Sequence, residues 1–445
     1  MVTQINTDQS KISFSKYIQK LKDFLVIITI IISLSVFSGN DIAKADTFGC
    51  FIGAGTTPAS TCNDLPSLLS SSIDEETDDN KDENKCLRSV DGDWHTTIKN
   101  NESDVTVLSI HGGNIEPGTS KISQDLEKLY KWDRYNFEGH VTRDKCKQVN
   151  SSCKDSNFCL FHITSNNFND PDAESSTGLV RLNPKAVSIH GCSSLCTPLI
   201  EVKDKNDKTT KVPDPDLLDQ SNTICIGGKN LTTRKLVRTY INEYKVLTSN
   251  PPLTFVNNQS ESYDTGAYCN SGILGTSLDN IVNKTNSNEG LQLEISKDIR
   301  EKLADDSISN DLLRTIVYGG AAEGVGKLPL PILIFEENHI VVQNNGKEYN
   351  LNVANKSKYV DLFVAAPNLP PCQPNTNSSR TRVIIYNATN DQEIGSFCAL
   401  ASSNDLDSIS FFVASNTTPP TAVYITLEDR LNNRIYRSNR VNITP

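Results

Sequence analysis

The stretch LSIHGGNIEPGTS, Leu108 to Ser120, ends an apolar run in His111, turns through Gly112-Gly113 and reaches Glu116 five residues after the histidine. The run from Val105 to Ile110 reads as a strand. Thr119 or Ser120 is placed to cap a helix that continues to Tyr130. Strand, glycine turn and helix together open an α/β layer. In open α/β sheets, sites collect at the carboxyl ends of strands, where His111 stands. Two glycines let the backbone turn sharply, so Glu116 can fold back beside the histidine. One imidazole nitrogen and one carboxylate brought together suit a zinc ion. A glycine pair after a strand is also an ordinary turn, so a third ligand has to decide the matter.

AVSIHGC, Ala186 to Cys192, supplies one: His190 closes another predicted strand and a glycine again follows. Two strand-ending histidines belong at one sheet edge, and His–Glu–His is the donor set of hydrolytic zinc sites that keep a position for water. A structural zinc site made of His190, Cys192 and Cys196 is the competing reading. In GLQLEIS, Gly290 to Ser296, Gln292 and Glu294 share one face of a strand, with Leu291, Leu293 and Ile295 on the other. A carboxylate on the site-facing side can serve as general base, the role expected of Glu294. Further strands are expected at Tyr135–Phe137, Cys159–Thr164, Ala186–Ile189, Thr223–Ile226 and Leu291–Ile295, with helices over Thr119–Tyr130, Thr232–Val246 and Lys297–Leu303.

The segments LSIHGGNIEPGTS, RYNFEGH, FHITSNNFNDP, AVSIHGC, ICIGG, LDNIVNK and GLQLEIS follow one another along the chain. In that order they resemble the poly-gamma-glutamate hydrolase family, a zinc-dependent group similar in fold to carboxypeptidase A-like peptidases. The resemblance runs from about Asp104 to Leu303. It implies a three-layer α/β/α domain around a mixed sheet and hydrolysis of amide bonds between γ-linked glutamates. Carried over by position, His111, Glu116 and His190 match the metal ligands and Glu294 the catalytic carboxylate. Asn283 matches a substrate-contacting position, and His162 falls on a family motif near the site. Lys284 stands where the family usually has arginine. Arginine grips a carboxylate with two parallel bonds and lysine does not, so the resemblance does not by itself fix the substrate. Arg234 and Arg300, both in predicted helices, are further candidates for substrate carboxylates, although an exposed, salt-bridged surface arginine is the simpler expectation for each.

The rest of the 445-residue chain frames this domain. Four lysines precede the apolar run Phe24–Phe37, and Ala43-Lys44-Ala45 follows, the order of a secretory signal peptide cut after Ala45. An uncleaved N-terminal anchor is the alternative. Without residues 1–45 the chain loses five basic and three acidic side chains and carries a net charge of −13. That field excludes nucleic acid or an anionic membrane as a general partner, and it argues against field-driven capture of a long polyanion, which keeps a short γ-glutamyl or other peptide as an alternative substrate. All 12 cysteines lie beyond residue 45, which in an exported protein reads as disulfides. Cys372 with Cys398 is the best single pairing; Cys153–Cys159 and Cys192–Cys196 are possible local loops. Residues 46–103 read as a cysteine-bearing extension with little regular structure, 104–326 as the zinc domain, Glu201–Gln220 as an inserted surface loop, and 327–445 as an all-β sandwich of short strands. The reading that competes with an enzyme is a secreted binding or surface protein that keeps an inactive hydrolase domain beside an interaction sandwich.

Overall fold

The computed structural model describes residues 94–140, 165–166, 168, 170–174, 178–192, 199–203, 205, 207–213, 223–247, 273–327, 331–343, 345–374, 377–399 and 408–443. The predicted signal peptide, the strand Cys159–Thr164, His162, Cys153, Cys159 and Cys196 lie outside these residues.

The first part is a mixed sheet with helices packed against it. Its strands are β1 (Trp94–Lys99), β2 (Val105–Gly113), β3 (Asp133–Gly139), β4 (Lys185–Cys192), β7 (Ile224–Gly227) and β8 (Glu289–Ser296); the pair β5 (Leu199–Lys203) and β6 (Thr209–Pro213) forms a separate hairpin. The sheet order is β1-β3-β2-β4-β8-β7. The pairs β3/β2, β2/β4 and β4/β8 are parallel, and β1 and β7 close the two edges antiparallel. β2 is buried at every position but Gly113, and β8 at every position but Glu289. Such unbroken burial is what parallel strands covered on both faces require. From β2 the chain goes to β3 on one side and later to β4 on the other. The sheet therefore has a switch point at the carboxyl end of β2, the place where α/β sheets open a crevice.

The helices are α1 (Thr119–Tyr130), α2 (Pro171–Glu174), α3 (Leu179–Leu182), α4 (Leu231–Tyr244), α5 (Lys297–Ala304) and α6 (Asp311–Gly324). Ile122 and Leu126 of α1, Val237 and Ile241 of α4, Ile299 and Leu303 of α5, and Ile316 and Val317 of α6 share one core with Val107, Val187, Leu291 and Leu293 of the sheet. The four longer helices, α1, α4, α5 and α6, present apolar residues at three- and four-residue spacing, the pattern that buries one face.

Four expectations need correction. The N-cap of α1 is Gly118 in the left-handed region, with no side-chain cap. The Thr119 hydroxyl contacts the carbonyls of His111 and Glu116, and Ser120 accepts from the Gly113 amide, so both hydroxyls hold the turn instead. Within 46–103, Trp94–Lys99 is regular: it is β1, paired along its whole length with β3. The Glu201–Gln220 segment contains strand residues of the β5/β6 hairpin and is not wholly a loop. Arg234 and Arg300 are buried, not exposed.

Beyond residue 331 the architecture is antiparallel. β9 (Ile334–Gln343), β10 (Gly346–Val353) and β13 (Ser408–Ala414) form one sheet. β11 (Thr381–Asn387), β12 (Glu393–Ala399), β14 (Ala422–Asp429), β15 (Arg434–Arg437) and β16 (Val441–Asn442) form another. Tyr349, Leu351, Phe411 and Val413 of the first join Val383, Ile385, Ile425 and Leu427 of the second in one core. Cys372 and Cys398 are bonded, as their isolation in sequence suggested. Arg440 ties this part to the start of α6 through Asp311. No helix of the described residues is long and apolar enough to cross a membrane.

Candidate active site at the carboxyl ends of β2, β4 and β8

His111 is the third residue from the end of β2, and the glycines after it are there because nothing larger fits. A β-carbon on Gly112 would stand 2.9 Å from the Phe137 carbonyl, and one on Gly113, where φ is +64°, 2.3 Å from the Gly139 carbonyl. The chain turns tightly against β3 and the Glu116 amide donates to the His111 carbonyl at 2.9 Å. That hydrogen bond closes the loop that brings the Glu116 carboxylate back, with Oε1 3.0 Å from His111 Nδ1.

His190 reaches the same point from β4. Its Nδ1 lies 3.0 Å from His111 Nδ1 and 3.8 Å from Glu116 Oε2. Its Nε2 lies 2.9 Å from the Ser188 hydroxyl, which leaves Nδ1 facing the cluster. The other Glu116 oxygen accepts from the Gly191 amide at 2.6 Å. All three side chains are buried. Two ring nitrogens and a carboxylate oxygen thus converge with their lone pairs toward one small volume. One proton cannot satisfy all of them, whereas a cation can, so the donor set fits a metal ion. The ligand atoms of His111, Glu116 and His190 lie within 4.8 Å of one another.

Glu294 stands directly across from His190 in the parallel β4/β8 ladder. It is 6% exposed. Burial, followed by the charge of Glu116, pushes its carboxyl well above the ordinary range; the Gln292 hydrogen bond and the charge of Arg300 act in the opposite sense. Gln292, on the same strand face, donates from Nε2 to Glu294 Oε1 at 2.7 Å and to the Ile273 carbonyl at 2.8 Å. Its own oxygen accepts from Asn280. Gln292 therefore fixes the carboxylate, a role not assigned from sequence, although its position two residues before Glu294 carried the signal.

Arg300, at the first turns of α5, is the other residue undervalued in sequence. Its guanidinium donates to the carbonyls of Pro117, at 2.6 Å, and Ile295, at 2.9 Å. It packs against Gly191, where a β-carbon would stand 1.8 Å from Nη1. Burial lowers its pKa, while the nearby charges of Glu116, Glu301 and Glu294 raise it. It is a buried countercharge for the cluster, bound into the fold and not offered to a ligand.

Asn283 ends the short 3₁₀ turn Ile281–Asn283 and is fully buried. Its Nδ2 donates to the carbonyls of Gly275 and Ser277, and its Oδ1 accepts from the Lys229 amide. Both donors are spent on backbone, so the side chain acts as a strut between three chain segments. Lys284 follows it, half-buried. Cys192 is disulfide-bonded, which removes its thiolate from the competing structural-zinc reading.

A His–Glu–His cluster able to hold a metal, set beside a buried carboxylate at the switch point of an α/β sheet, defines a candidate metal-dependent hydrolytic centre. The model of the poly-gamma-glutamate hydrolase family matches residues 85–211 and 218–315, and the chain belongs to that family. The matched span starts before Asp104 and takes in β1. The UPF0714 protein YndL of Bacillus subtilis (strain 168) is 35% identical over 99 residues, 22% of this chain and 32% of that relative. The SPbeta prophage-derived UPF0714 protein YoqZ of the same organism is 34% identical over 90 residues, 20% of this chain and 26% of the relative. The chain thus spans about a third or less of the length of these relatives. Among solved structures, a bacteriophage poly-gamma-glutamate hydrolase is similar at 21% identity and a TM-score of 0.34, covering 52% of this chain and 90% of that one. Zinc-free YndL is similar at 24% identity and a TM-score of 0.30, covering 47% and 75%.

Proposed function

We propose that the chain is an exported, zinc-dependent hydrolase of γ-glutamyl amide bonds, built as a three-layer α/β/α catalytic domain followed by a β-sandwich. The observation that carries this reading is the convergence of His111, Glu116 and His190 on one buried point beside Glu294. Two imidazoles and one carboxylate are a donor set of hydrolytic zinc sites. Zinc supplies Lewis acidity there, polarising an amide carbonyl and making water a nucleophile near neutral pH.

The chain's own residues supply the rest. Ser188 fixes the ring of His190 so that Nδ1 faces the cluster, where it would join the other ligand atoms. Glu294 accepts the proton of the attacking water and delivers it to the leaving amine. Its upward shift brings its proton affinity closer to that task, since a general base works best when its pKa approaches the working pH. Gln292 holds the carboxylate in place for this transfer. Arg300 balances the negative charge of Glu116 and Glu294. Lys284 meets a carboxylate of γ-linked polyglutamate or of a short γ-glutamyl peptide as a single charge. Export is supported by the leader-like residues 1–45 and by the Cys372–Cys398 bond; it ends in the periplasm or outside the cell.

The test is incubation of the purified protein with defined γ-linked and α-linked glutamate oligomers. Cleavage of the γ-linked series alone, abolished by a chelator and restored by zinc, is the expected result. Cleavage that survives chelation, or equal cleavage of both series, overturns the proposal.

A further inference from the structure

His95, Glu138 and His140 lie at the outer edge of the same sheet and take no part in the cluster described above. β1 and β3 pair antiparallel with His95 directly opposite Glu138. Side chains directly opposite in such a pair are neighbours on one face. His140 follows Glu138 by two residues at the end of β3, and in an extended chain residues two apart project to the same side. The sequence Glu-Gly-His on one strand and a histidine across from it therefore place three donors on one surface. His95 Nε2 lies 2.8 Å from Glu138 Oε2. His95 Nδ1 lies 2.5 Å from His140 Nε2, and the two rings stack with centroids 4.5 Å apart. One donor atom from each residue falls within 4.8 Å of the other two.

From this arrangement we propose a second metal site, His95–Glu138–His140, that binds a divalent transition ion, zinc in the first instance. Two imidazoles and one carboxylate suit zinc, while magnesium and calcium favour all-oxygen sets. His95 and Glu138 are partly buried, with 29% and 13% of their side chains exposed, so the strand pair sets their positions. His140 is exposed and its Nε2 already faces His95. Solvent access leaves the remaining coordination positions to water.

The site is coupled to the catalytic turn through backbone. Asn114, between His111 and Glu116, donates from its amide to the Gly139 carbonyl at 2.7 Å and from Nδ2 to the His140 carbonyl at 2.8 Å. An ion held by His140 fixes the segment on which the Glu116 turn rests and pins β1 to β3.

The experiment is a zinc count on untagged full-chain protein dialysed against micromolar zinc, comparing wild type with His140→Ala and His95→Ala. The readout is a difference, so it holds whether or not His111 and His190 also bind zinc. Each variant is expected to carry one zinc fewer than wild type. Loss of one ligand from three is expected to weaken the site at least 100-fold in a zinc titration. The His111→Ala/His190→Ala double variant is expected to keep this zinc after losing the catalytic one. Equal counts in wild type and His140→Ala overturn the proposal; His140 is exposed, so this variant folds, and far-ultraviolet circular dichroism verifies it.

Discussion

At the carboxyl ends of β2, β4 and β8, two histidines, two carboxylates and a guanidinium are buried in one cluster. The antiparallel sheets beyond residue 331 treat charge differently. Their buried acid among the described residues is Asp429, and it receives a dedicated partner: Arg380 donates from Nε to Oδ1 at 2.8 Å and from Nη2 to Oδ2 at 2.7 Å, and Asn432 adds a third bond. The two acids shift in opposite directions. The Arg380 hydrogen bonds hold Asp429 down at about 2, whereas burial and the Glu116 charge lift Glu294. A buried carboxylate that is fully paired serves the fold. One left proton-hungry beside other donors costs the fold something, and such costs concentrate where chemistry is done.

The comparison can be broken most severely by neutralising each acid in turn. Glu294→Gln keeps the oxygen that accepts from Gln292 and removes the base, so kcat on γ-linked oligomers should fall about 1,000-fold. Denaturant unfolding of the chelated protein should show no loss of stability, because the ionised carboxyl is the disfavoured form there. Asp429→Ala should do the reverse. It leaves the Arg380 cation half-enclosed and unpaired and should cost about 3 kcal/mol in unfolding, with kcat unchanged.

Acid gives a milder version of the same contrast. Asp429 has a lower pKa folded than unfolded, so its contribution is complete above about pH 4 and lost as pH falls toward 2, an amount of about 2 kcal/mol. Urea unfolding of wild type and Asp429→Asn across that interval measures it; the variant should lack the component. The smallest effect concerns support of a ligand. Ser188→Ala removes the nearer of the two hydroxyls at the outer nitrogen of His190, leaving Ser165 Oγ at 3.4 Å, and should weaken zinc binding about 10-fold without altering the fold. Isothermal titration with zinc reads this directly.

Much of the first region was legible because its signals are local. Helix α1 has the bounds expected, Thr119–Tyr130, since its apolar residues keep one face and its ends are marked by glycine and aromatic neighbours. His111, Glu116 and His190 meet as strand ends followed by glycine implied. What escaped depended on contacts distant in sequence. Helix α6 was missed because Gly319-Gly320 lowers helix propensity; those glycines exist to admit Tyr240 and Ile241 of α4, whose atoms lie 2.7 and 2.6 Å from where β-carbons would be. β1 was hidden in a polar extension, and only its pairing with β3 gives it meaning. The bonds from Asn283 to the carbonyls of Gly275 and Ser277 likewise depend on how a loop folds and carry no local signal. Nothing in the local pattern of α5 tells that Arg300 turns back under β4.

The glycine after His190 carries a consequence for how such sequences diversify. Arg300 is held by two carbonyls and cannot swing aside, so position 191 has no room for any side chain while that arginine stays. Neither position can drift alone: a larger residue at 191 demands a shorter one at 300, and the cluster then forfeits its compensating cation. Paired substitution at these two sites across descendants would mark lineages that had rebuilt the charge balance around their carboxylates.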